Sequence, residues 1–179
     1  MYKTTVFWIL ILLCLSNVLI GQDHSIALKA GYYKFNAISE DDASISANFL
    51  TVGYTGFISF WGNASTLSFG IVNADITQFR STSSESGLMF EFSNRAYLQD
   101  EITGLHIGYG IDVQLLDTRN VYRATLDLGY TFNFTSEPFI GVTPGISGHY
   151  GLAQNKNDGF DSFFGFSYAP TLSFSIAFY

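Results

Sequence analysis

The sequence predicts an all-β protein, an eight-stranded antiparallel up-and-down transmembrane β-barrel. Beyond residue 21, apolar residues recur at every second position, which is the strand period. Only 13% of the 179 residues are charged, against 47% apolar and 17% aromatic, whereas soluble domains carry about 25% charged residues. The face opposite the apolar one is built from Gly, Ser, Thr and Ala, where a water-facing sheet carries Lys and Glu. The same composition excludes disorder, which needs charge and few aromatics. A net charge of −7 excludes a nucleic-acid reader, which needs a basic face.

Residues 1–21 read as a secretory signal peptide. Lys3 supplies the positive start, Val6 to Leu15 the apolar stretch, and Gly21 the small residue at the cleavage point, with Leu19 at −3. The apolar span is shorter than the ~20 residues of a membrane-crossing helix. Cys14 is the one cysteine. It lies inside this segment after Leu13, where a lipoprotein signal has a small residue, so the mature chain is expected to lack thiol and disulfide chemistry. Residues 22–179 form the predicted barrel domain.

Eight runs follow, at about 24–36, 46–60, 65–79, 88–99, 103–116, 121–134, 139–153 and 162–179. The fifth is the clearest. Leu105, Ile107, Tyr109, Ile111, Val113 and Leu115 alternate with His106, Gly108, Gly110, Asp112 and Gln114. The sixth and eighth repeat it, with Pro170 on the apolar face of the last predicting a local break in pairing. The third changes frame: Leu67, Phe69 and Ile71 set one face, then Val72, Ala74 and Ile76 the other, as a bulge would produce. Short links near Trp61–Ala64, Asp100–Glu101 and Thr135–Pro138 alternate with more polar ones near Ser39–Ser44, Arg80–Gly87, Asp117–Asn120 and Gln154–Asp161. That alternation fits a meander with both termini on one side.

A soluble barrel and a membrane barrel differ in which face meets the apolar medium. Small residues opposite a continuous greasy face suit a crowded lumen, so the apolar face is assigned to lipid. Residues 105–115 reach the ~9–11 residues of a tilted membrane strand. Trp61, Tyr97, Phe134, Phe139, Phe178 and Tyr179 are assigned to an inner aromatic girdle, and Tyr33, Phe49, Phe79, Tyr122, Tyr150 and Phe164 to an outer one.

On this alternation, and on the terminal strand Phe174-Ser175-Ile176-Ala177-Phe178-Tyr179, the chain resembles the small eight-stranded outer-membrane barrels of the OmpA/OmpX type, porin-like barrel domains. It departs in its last residue: Phe178 keeps the apolar frame and Tyr179 lies one beyond. The resemblance implies a Gram-negative outer membrane, contact with its lipid, and recognition of the C-terminal strand by the barrel assembly machinery. A monomer is expected. Because the sequence stops with the eighth run, no periplasmic domain is expected. Fold alone assigns no activity. The leading reading is a structural or surface-interaction barrel with short loops; a narrow pore and a lipid-modifying enzyme are the alternatives.

No cofactor or metal motif is present, and Glu40-Asp41-Asp42 reads as a solvated loop. Ser147 and His149 share a face of the seventh run but make no catalytic dyad by spacing alone. The lumen frame carries Glu91, Arg95, His106, Asp112, Arg123 and Asp127. Antiparallel neighbours put Glu91, Asp112 and Arg123 at one level and Arg95, His106 and Asp127 deeper. Buried charges need partners, so two stacked ion-pair clusters are expected to fill the bore.

Overall fold

In a computed structural model of the chain, residues 24–38, 43–58, 63–98, 104–135, 139–156 and 162–178 are described. The predicted signal segment, the 40–42 acidic loop, Trp61 and Tyr179 lie outside them, as does the side chain of Phe178. Eight strands close into one barrel in sequence order: β1 (His24–Ala37), β2 (Ser44–Ile58), β3 (Asn63–Gln78), β4 (Ser81–Tyr97), β5 (Gly104–Leu116), β6 (Arg119–Asn133), β7 (Phe139–Asn155) and β8 (Phe163–Phe178). Every pairing is antiparallel, and β8 closes on β1.

A walk along paired residues shows how the strands are staggered. From Ala27 it passes Gly53, Ser68, Glu91, Asp112, Arg123, Gly151 and Gly165, and returns to β1 at Ala37, ten residues higher. Each strand therefore steps up by a little more than one residue, and the strands tilt by roughly 35–45°.

The facing assigned to β5, β6 and β8 holds. Ile107, Ile111, Leu126, Phe132, Tyr168 and Leu172 are exposed outward, while His106, Asp112, Thr125 and Ser173 are buried inward. Pro170 opens the β1–β8 ladder between Gly31–Thr171 and Asn36–Phe166, and Pro144 does the same between β6 and β7. Both lack the N–H that the ladder needs.

Three expectations are corrected. β3 has no bulge; its register with β2 and β4 runs unbroken. Leu67, Phe69 and Ile71 face outward, and Val72, Ala74 and Ile76 face inward with at most 4% exposure. What changes along β3 is the medium inside the barrel, which turns apolar toward the outer rim. Residues 80–87 are not a loop. β4 starts at Ser81 after a two-residue turn at Phe79 and Arg80, whose φ values of 50° and 64° are left-handed, the geometry of a tight hairpin whose twist matches its strands. The β5–β6 link is likewise only residues 117–118, and polar composition there marks strand ends that stand in water. Finally, Tyr33 and Phe49 do not belong to an outer girdle. They sit inside the barrel at 0% and 5% exposure, whereas Phe79, Tyr122, Tyr150 and Phe164 are exposed outward.

Candidate functional site

The lumen is the candidate site, and it has three layers. Toward the outer rim lies an apolar cluster that includes Tyr33, Phe35, Ile45, Phe49, Val72, Ile76, Met89, Leu116, Val121 and Phe163. Phe35 and Phe163 pack ring on ring at 5.9 Å. Each large apolar side chain enclosed this way contributes about 1.5–3 kcal/mol. At this height the outward positions of β1–β4 turn polar, with Lys34, Asn48, Asn73, Asp75, Ser84 and Ser86. On these four strands the outer end is thus organised like a soluble protein, greasy inside and polar outside.

Below it, three cations meet three carboxylates. Arg123 Nε donates to both oxygens of Asp112, at 2.9 and 3.2 Å, and Thr125 Oγ1 adds a bond at 3.2 Å. The Arg123 guanidinium carbon stands 4.0 Å from the Tyr33 ring centroid, so a π face takes the place of further acceptors. Tyr33 in turn donates to Gln114, which reaches Asp112 at 3.4 Å. Lys29 Nζ donates to both oxygens of Glu91, at 2.8 and 3.0 Å. Deeper, Asp127 is shared by Arg95 Nε at 3.3 Å and His106 Nε2 at 3.2 Å, with Tyr97 tilted over His106 at 5.2 Å.

All six residues assigned to the lumen frame face inward, and five of them meet one another, Arg123 with Asp112, and Arg95 and His106 with Asp127. Glu91 does not pair with Arg123, its neighbour by level. Its partner is Lys29, which the sequence reading passed over. The signal was present: Lys29 falls on the frame of Ser25 and Tyr33, opposite Ile26 and Leu28.

The third layer is a small recess at the inner end, lined by hydroxyls such as Ser25, Thr55, Thr143 and Ser173, and by Arg95. Tyr97 and Phe139 line it too, which corrects their place in a lipid-facing girdle. Both fall on inward frames, Tyr97 with Glu91 and Arg95, and Phe139 with Gly141 and Thr143. Of the inner girdle, Phe134 faces outward at 67% exposure.

Ser147 and His149 are both buried in the lumen. His149 Nδ1 meets Ser167 Oγ at 3.2 Å, while Ser147 Oγ lacks a hydrogen-bond partner, so the two form no relay with each other. No cluster able to hold a metal ion occurs among the described residues.

These features define a closed eight-stranded barrel with the facing of an outer-membrane β-barrel. Among solved structures, the chain is similar to Neisserial surface protein A, at TM-score 0.55 and 8% identity over 86% of this chain and 96% of that one. That likeness is one of fold. The outer membrane channel DcaP of Acinetobacter baumannii also matches, at 12% identity over 88% of this chain and 54% of that one, with a TM-score of 0.30 on which nothing rests. No family model and no curated protein sequence matches.

Proposed function

We propose that the protein is an occluded barrel of the bacterial outer membrane with a structural or surface-interaction role. The observation that carries this reading is the layered lumen. An apolar cluster lies across the outer half and paired charges across the middle, and this filling supports an occluded bore. A bore of eight strands is just wide enough for side chains to fill. Two of the outer hairpins are two-residue turns at 79–80 and 117–118, too short to carry a large adhesive surface. The outward rows of Leu, Ile, Phe and Tyr on β5, β6 and β8 support contact with lipid. In the same reading, the C-terminal strand β8 is the element offered to the assembly machinery.

Planar-bilayer recording tests the occlusion. The purified protein should pass little current, and Arg123→Ala alone should leave it closed because the outer cluster stays intact. Steady large currents from the unmodified protein would favour the narrow-channel alternative. Location is tested by membrane fractionation with gel mobility of unboiled and boiled samples. A closed barrel resists detergent and migrates differently before boiling, whereas recovery in the soluble periplasmic fraction would overturn the reading.

A further inference from the structure

Arg95 is the most loosely held of the three lumen cations. Arg123 Nε reaches both oxygens of Asp112, and Lys29 Nζ reaches both oxygens of Glu91. Arg95 Nε stands 3.3 Å from one oxygen of Asp127, without the geometry of a hydrogen bond. His106 Nε2 lies 3.2 Å from that same oxygen. The Tyr97 hydroxyl accepts from Arg95 as well. A guanidinium carries five N–H donors in a planar fork, so these contacts engage only part of it.

Of the three cations only Arg95 lines the inner recess, and no carboxylate is among the described residues that line it. The recess has a volume of about 20 Å³, room for one water-sized group and little more. Neutral donors surround it. Thr131 Oγ1 and Thr143 Oγ1 lie 3.0 Å apart, and whichever accepts keeps its own proton for a further bond. Asn133 lines the recess with its amide nitrogen and oxygen both buried and both without a hydrogen-bond partner. Buried polar groups of folded proteins have partners, so an amide held this way marks a place where something binds. Gly141 pairs with Asn133 on one side and Ser175 on the other. A Cβ there would come within 3.0 Å of Asn133 Oδ1 and of Ser175 Oγ, so glycine keeps this part of the wall clear.

We propose that the inner recess binds a small anion, the carboxylate head of a ligand that enters from the inner mouth. A cation among neutral donors, with no acid in the wall and little water around it, selects negative charge. A carboxylate accepts in the plane of a guanidinium fork. Its remaining lone pairs suit the Thr131–Thr143 hydroxyls and the Asn133 amide N–H groups. The volume admits the head alone. A bulkier remainder stays at the strand ends, beside Tyr97 and Phe139. Free short-chain acids and the chain-terminal carboxylates of peptides share this chemistry. The recess stands whatever surrounds the barrel; that its mouth opens on the periplasm rests on the membrane reading above.

Thermal unfolding of the refolded barrel in detergent tests the site, with sodium acetate and its neutral isostere acetamide as probes at constant ionic strength. Acetate should raise the melting temperature saturably, and acetamide should not. Asn133→Leu, close in volume, should raise the acetate midpoint concentration about tenfold through loss of its hydrogen bonds. Arg95→Lys, which keeps the charge and loses the fork, should raise it severalfold. In isotopically labelled protein the Asn133 side-chain amide signals should move over the same acetate concentrations. A peptide with a free C-terminal carboxylate that acts at lower concentration than acetate makes a chain end the source. A peptide no better than its own C-terminal amide makes it a free short-chain acid. Acetate and acetamide acting alike, or neither acting, in folded and heat-modifiable protein means that water alone fills the recess and overturns the site. So does an acetate response that survives Asn133→Leu and moves no Asn133 signal. Absence of the protein from the membrane fraction overturns the membrane reading and leaves the recess standing.

Discussion

Phe35 and Phe163 near the outer rim, and Lys29 and Arg95 nearer the inner one, occupy the same kind of position: an inward strand site in a closed barrel. Their chemistry is opposite because their surroundings are. Where the outer ends of β1–β4 stand in water, the barrel can hide apolar side chains only inside, and Tyr33, Ile45, Val72 and Phe163 gather there. Where the outer wall is apolar, as the proposed lipid contact requires, such side chains are already accommodated outside. The inside can then hold charges, provided each is paired, as Lys29–Glu91 and Arg123–Asp112 are. The polarity of a strand face is therefore a local property of height, and one strand such as β3 can carry both arrangements.

The largest expected effect breaks the charged half. Arg123→Ala leaves Asp112, 1% exposed, without its cation and should cost about 3–5 kcal/mol, measured as loss of stability in a urea titration of the refolded barrel. Arg123→Leu with Asp112→Leu should cost much less, because no lone charge remains. Equal losses in the single and double variants would show that the pair is not what holds this layer.

Phe35→Ala attacks the apolar half and should cost about 3–5 kcal/mol through the cavity it leaves, read in the same titration. Phe35→Asn should cost more than Phe35→Ala if this height is as dry as a soluble core. A milder effect of Asn would make the outer lumen wet and collapse the contrast between the halves.

On the lipid side, Leu126→Arg should destabilise by about 2–4 kcal/mol, while Ser83→Arg, on the exposed outer stretch of β4, should be close to neutral. Folding yield in phospholipid bilayers checks both. Equal tolerance at the two sites would contradict the assigned depth of β6.

The smallest effect concerns the projecting hairpin. Phe79 and Arg80 adopt left-handed φ with side chains, which costs non-glycine residues roughly 1–2 kcal/mol. Arg80→Gly should therefore raise stability by about 1 kcal/mol, seen as a higher thermal midpoint. An unchanged midpoint would mean that the exposed Phe79–Arg80 pair makes compensating contacts.

The alternation of β5, β6 and β8 was legible in the sequence because one face stays apolar along nearly the whole strand. The inward charges from Glu91 to Asp127 were legible for the same reason, since they interrupt an otherwise small-residue frame. Lys29 was missed because β1 is less regular, with Ala30 and Gly31 diluting both faces. Tyr97 and Phe139 were misassigned because nearness to a strand end says nothing about frame. Only counting alternate positions from a settled residue places them at the inner mouth.

Composition and period by themselves determined that eight strands pair in sequence order, since each apolar stretch has length and alternation enough to specify a strand, and short links force antiparallel neighbours. Which cation meets which carboxylate, and where the lumen turns from polar to apolar, was decided only by the closed structure. Ring closure advances the register ten residues per circuit, bringing Lys29 of β1 across to Glu91 of β4. Sequence spacing cannot reveal that contact, because it spans the bore between strands that are not neighbours and depends on the stagger of every strand between them.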